Sequence, residues 1–268
     1  MLQCIEECYR HLEPHDVEIV DLLVFDTSRR MRTHLMEERS RLGILSEDFG
    51  EQFYAMHEAW TGIPRIWVCL ERITELGRTV GYGSLRHEVA HSVLHGSPEY
   101  YALPIPPSLS EFSRRKHLSR EYGVKILYLL SVAVKDYEAT LLLARRGYIE
   151  DQTAYARKVL TASTEDLTSW RISENHPEAM ALCLVSRLKD LAPSMALERT
   201  TPSQQDTRKT IVNELSYLPP NIQSKMLRTV ERFPTEMRGD TFHNLNAAAQ
   251  VIRGELLEPL FPADEKRH

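Results

Sequence analysis

His87-Glu88-Val89-Ala90-His91-Ser92-Val93-Leu94-His95-Gly96 is the stretch on which the reading of this chain turns. An α-helix advances 3.6 residues per turn, so His87 and His91 project from the same face and can share one metal ion. Glu88 stands beside them, where its carboxylate can take a proton from a water on that ion. Val89, Ala90, Val93 and Leu94 are apolar, which predicts a buried helix. Two imidazoles and a carboxylate are costly to bury without partners, and a metal ion supplies one. Gly96 and Pro98 mark the helix stop. Gly81, Gly83 and Ser84 mark its start, with Ser84 as the N-cap, so the helix is expected over about residues 84–95.

Around this stretch the composition is that of an ordinary globular chain. Its 268 residues can bury a full core and have room for one large domain or two small ones. With 42% hydrophobic and 26% charged residues, nothing suggests disorder. A net charge of −5 argues against nucleic acid as a partner. The basic runs Arg29-Arg30-Met31-Arg32 and Arg114-Arg115-Lys116-His117 read as solvated helix faces. No apolar run approaches the roughly 20 residues of a membrane-spanning helix. Met1–Leu12 reads as an amphipathic helix rather than a secretory signal, so the cytoplasm is the expected compartment. Cys4 and Cys8, one helical turn apart, and the isolated Cys69 and Cys183 are read as small buried hydrophobes, not as a disulfide framework.

Periodicity divides the chain unevenly. Val17–Phe25 and Arg65–Leu70 read as strands, Arg29–Gly43 and Glu51–Trp60 as helices. Four prolines between Ser97 and Pro107 predict a stiff loop just past the metal helix. A long helix is expected over Glu121–Arg146, and further helices near 151–160, 175–191, 204–217, 220–232 and 243–257, separated by prolines. No strand-like run follows residue 150. The expected fold is therefore α+β, with a catalytic half over residues 1–150 (small sheet plus metal-binding helix) and an all-helical region over 151–268.

A catalytic zinc site needs three protein ligands and an open fourth position. Lys135-Asp136-Tyr137-Glu138 places two carboxylates in an otherwise apolar helix. Glu138 shares a face with Val134 and Leu141 and is the favoured third ligand, with Asp136 as its supporting partner or substitute. Glu99 is a weaker alternative. His95 falls one further turn along the metal helix, roughly 12 Å from His87, too far for Zn–N bonds of about 2 Å to gather all three. It reads instead as a supporting histidine at the helix end.

The run Gly-Ser-Leu-Arg-His-Glu-Val-Ala-His-Ser-Val-Leu-His-Gly over 83–96, followed by Asp-Tyr-Glu-Ala over 136–139, resembles the gluzincin metallopeptidases, and most of all their compact members, the minigluzincins. The resemblance covers about residues 60–147. It implies a zincin-like fold, Zn2+ held by His87, His91 and Glu138, and a peptide or protein substrate. It also implies that an edge strand before the metal helix, here residues 65–70, receives the extended substrate.

The function expected from these features is zinc-dependent peptide-bond hydrolysis, with Glu88 as general base. Tyr100, Tyr101, Tyr137 and Arg86 are candidates for stabilising the oxyanion. Two other readings compete. The fold can be a vestigial, partner-binding module, or the helical region can keep a real peptidase latent. His57-Glu58 opens a second His-Glu, but Thr61 stands where its second ligand would be.

Overall fold

The computed structural model describes residues 1–42, 54–200 and 204–261. Helices dominate, and one small sheet accompanies them, so the chain is α+β with a helical half. Internal contacts group it into two units, Met1–Ala102 with Leu142–Tyr155, and Leu103–Leu141 with Ala156–His268. This pattern differs from a single cut near 150. The physical reason is that the helix Arg120–Arg145 belongs mostly to the second unit, while its last turn and the start of the helix Ile149–Leu160 belong to the first.

The first unit is built on three strands, β1 (Asp21–Phe25), β2 (Ala55–Glu58) and β3 (Arg65–Cys69), in the order β1-β3-β2. β1 pairs with β3 in parallel, with Leu23 opposite Trp67. Such a pairing needs a crossover, and the helix Ser28–Leu42 lies within it. β2 runs antiparallel to β3, with Met56 opposite Trp67 and His57 opposite Ile66.

Alternation along the strands then decides what each face does. Met56, Trp67 and Cys69 pack with Met31 and Leu35 of the crossover helix. Ala55, His57, Ile66 and Val68 project to the other side, where the helix Arg78–His95 packs against β2 and β3. All five residues of β3 are buried, as expected of a central strand.

Two expectations are corrected here. Residues 65–69 form the centre of the sheet, paired on both sides, so they have no open edge for a substrate strand. Residues 55–58, read as helix, are a strand instead; residues 51–53 of that expected helix lie outside the described residues. The pull of β3 on a four-residue neighbour outweighs helix propensity in so short a piece.

The metal helix also starts earlier than expected, at Arg78, with Gly77 before it at φ 74°. Gly83 is inside the helix, not at its end. A Cβ there would meet the carbonyl oxygen of Asp151 at 2.5 Å, so this glycine serves close packing against the helix Ile149–Leu160. Gln152 Nε2 donates to the Gly83 carbonyl across the same contact, at 2.9 Å. On another side, the amphipathic helix Leu2–Leu12 buries Cys4, Ile5, Cys8 and Leu12 and packs on the metal helix.

The second unit is helical throughout its described residues. Pro177–Glu198 contributes Leu184, Leu188, Leu191 and Met195 to its core, beside Met226, Val230 and Phe233 of Pro220–Glu236. Pro193 and Pro234, expected as separators, sit buried within these two helices. A helix over Thr164–Ser173, which the sequence pattern did not disclose, begins with a capping box formed by Ser163 and Asp166. Among the described residues no helix is long and apolar enough to cross a membrane.

Candidate metal centre

The helix Arg78–His95 buries His87, Glu88, His91 and His95. Its 3.6-residue repeat brings the first two imidazoles together, with His87 Nε2 lying 3.0 Å from His91 Nε2. Two nitrogens of a tetrahedral zinc site stand roughly 3.4 Å apart, so this pair already approximates one edge of such a site. Behind His91, its Nδ1 lies 3.2 Å from His95 Nδ1. His95 is fully buried and takes Tyr100 edge-on, at a ring separation of 5.2 Å.

In the second unit, the helix Arg120–Arg145 carries both Asp136 and Glu138. Asp136 is half-buried. Glu138, the carboxylate favoured from the helical pattern, is engaged by other groups. Thr241 Oγ1 donates to it at 2.8 Å and Asn244 Nδ2 at 2.6 Å. The helix Thr241–Ile252 supplies both donors from its first two turns, and Asp240 caps that helix. Glu99 is exposed on a short 3-10 turn, Pro98–Tyr101.

The candidates for oxyanion stabilisation separate clearly. Arg86 is ion-paired with Asp151 and lies over the rings of Tyr82 and Tyr148. Tyr137 is buried, and its hydroxyl accepts from Arg199 Nη1 at 3.0 Å. Tyr101 meets His57, its hydroxyl 2.9 Å from Nδ1. Burial, and then the charges of Glu58 and Glu88, push its phenol well above the usual tyrosine range, so Tyr101 keeps its proton.

Three contacts of the helix Arg78–His95 were missed by sequence reasoning, two of them with its histidines. His57 of β2 stacks parallel to His91, with ring centroids 6.2 Å apart. Tyr155 leans on His87 at 5.0 Å. Tyr9 bonds Ser92 Oγ at 2.5 Å, linking the first helix to the metal helix. No local pattern marks any of them, because each reaches the site from a different element.

The cysteines stand apart from this chemistry. All four are unbonded, and burial pushes the Cys8 thiol up to about 12, so Cys8 stays an unreactive core group.

No family model, no curated protein and no solved structure matches this chain.

Proposed function

We propose that the chain is a zinc-dependent peptidase in which His87, His91 and Asp136 hold the ion, an aspartate where the gluzincin resemblance implied Glu138, and Glu88 is the general base. The observation that carries this reading is the convergence of the two Nε2 atoms at 3.0 Å on a buried helix that also carries Glu88. Two imidazoles and one carboxylate form a donor set that suits zinc.

Zinc held by His87, His91 and Asp136 would supply Lewis-acid polarisation of a carbonyl and a water of lowered pKa. Glu88 accepts the proton of the attacking water and delivers it to the leaving amine. Its place directly after His87 keeps the carboxylate next to the paired imidazoles along the helix. His95 holds the ring of His91, so the ligand needs little reorganisation when the ion arrives.

An extended peptide is the substrate form that the sheet favours. Tyr54 and Cys69 are bonded through the backbone, so Met56 and Glu58 also turn their backbone groups toward β3. Ala55 and His57 turn theirs the other way, toward the β2 edge. A substrate strand bonded to these two residues would lie beside the histidines, in a backbone-led mode tolerant of many side chains. A cytoplasmic setting fits four cysteines that are all unbonded.

Elemental analysis tests the centre directly. Wild type is expected to carry about one zinc per chain, retained in Glu138→Ala and lost in Asp136→Ala. Zinc that survives Asp136→Ala but not Glu138→Ala would return the third position to Glu138. Wild type that takes up no zinc ends the peptidase reading.

A further inference from the structure

The peptidase reading leaves open which group receives the negative charge of the tetrahedral oxygen. A group for that task must be a hydrogen-bond donor, must lie beside the ligand shell, and must be held before the substrate arrives. Arg86 is occupied by Asp151 and Tyr137 by Arg199, so neither is poised for it.

His57 meets the three requirements. It belongs to β2, held by its pairing with β3, and its side chain projects to the face covered by the helix Arg78–His95. Its ring lies parallel to His91, within 5° at 6.2 Å between centroids. Tyr101, itself held edge-on by Trp60 at 5.9 Å, stands 2.9 Å from Nδ1. Where Tyr101 donates its hydroxyl proton to Nδ1, the neutral imidazole uses its one lone pair there. That bond leaves the imidazole proton on Nε2, and the histidine becomes an N–H donor of fixed tautomer.

We propose that His57, with its tautomer set by Tyr101, is the donor that stabilises the oxyanion in peptide hydrolysis by this chain. His57 is then a catalytic residue that touches the substrate, and Tyr101 is a positioning residue that acts through it. The assignment rests on the peptidase reading of the same centre. It adds a strand residue, sequence-distant from the metal helix, to the chemistry. It also makes β2 serve twice, aligning the substrate backbone and holding its reacting oxygen.

The test uses the full chain loaded with zinc. The variants are His57→Ala, His57→Gln and Tyr101→Phe, and the probes are an internally quenched peptide library and a phosphinic peptide that mimics the tetrahedral state. His57→Ala is expected to lower kcat about 100-fold with little change in KM, and to weaken the phosphinic peptide by a similar factor. His57→Gln, which keeps an N–H donor, should recover part of both losses. Zinc content should stay at the wild-type level in all three. In ¹⁵N-edited NMR, wild-type His57 should show a protonated Nε2 and an unprotonated Nδ1, and Tyr101→Phe should mix the two tautomers. Unchanged kcat in His57→Ala, or loss of zinc together with activity, overturns the role. Wild type that binds zinc yet cleaves none of the library overturns the peptidase reading, and this assignment with it.

Discussion

His91 and His95 face each other through their Nδ1 atoms at 3.2 Å, one helical turn apart and both buried. A histidine that binds metal through Nε2 carries its proton on Nδ1 and needs an acceptor there. Under the proposed function His95 would be that acceptor, a third histidine at the same spacing that orients His91 from behind.

Removing this support should weaken the centre without abolishing it. His95→Ala is expected to lower zinc affinity about 10–100-fold, measured by competition with a chromophoric chelator. His95→Gln, whose amide oxygen can accept the same bond, should lose less. Wild-type affinity in His95→Ala would show that His91 needs no partner.

Glu88→Gln separates holding the ion from using it. The amide cannot accept a proton, so zinc should remain near one per chain while peptide turnover falls to background. Turnover retained in this variant removes Glu88 from the role of base.

Gly83→Ala probes the packing of the metal helix. The added Cβ would press on the Asp151 carbonyl at 2.5 Å, and backbone cannot yield as a side chain can. A loss of about 1–3 kcal/mol in urea denaturation is expected. An unchanged midpoint would mean that the helix Ile149–Leu160 shifts freely.

Arg65 anchors the sheet that carries His57. It donates to both oxygens of Glu38, at 2.7 and 3.0 Å, and through Nε to the fully buried Glu58. Arg65→Met leaves two carboxylates without their cation and should cost about 3–5 kcal/mol at pH 7. Burial raises the Glu58 carboxyl above its usual range, against the opposing pull of Arg65. Folding of the variant therefore favours a protonated Glu58, and the deficit should shrink as pH falls toward 5. A deficit independent of pH would locate the loss in packing instead.

Glu255 gives the opposite slope. Hydrogen bonds from Arg232 at 2.8 Å and Arg228 at 3.0 Å hold its carboxyl below the usual range. A folded-state pKa below the unfolded one stabilises above the unfolded value and is lost as pH drops through the folded one. Both arginines are half exposed, so Glu255→Gln should cost no more than about 1 kcal/mol at pH 7. That cost should vanish near pH 3. A cost that persists there would assign it to the amide's fit rather than to charge.

Much of the candidate centre was legible before any coordinates. His87, Glu88 and His91 lie within five residues, so helical geometry alone settles their mutual placement. The third carboxylate was narrowed to neighbouring positions but not chosen. Asp136 and Glu138 differ by two residues on one helix, and only Thr241 and Asn244, more than a hundred residues later, show what Glu138 is bonded to. His57 was set aside because its local pattern lacked a second ligand, and its value comes instead from Tyr101 and His91.

Strand order was equally beyond reach. Residues 65–69 read correctly as a strand, yet their apolar run is compatible with an edge or a centre. Pairing with β1 through a helical crossover and with β2 through an antiparallel return placed them in the middle. Gly83 shows the same limit, since a glycine that looks like a helix boundary is a packing contact with Asp151.

The sequence by itself determined the helix that carries His87, Glu88 and His91, the pairing of its two histidines, and the all-helical character that follows residue 150. These depend on interactions within one or two helical turns, where periodicity and covalent geometry suffice. Only the tertiary structure decided which strand is central, which neighbours surround the histidines, and what Glu138 is bonded to. Those choices depend on contacts between residues far apart in the chain, and no local pattern encodes which distant partner will be nearest.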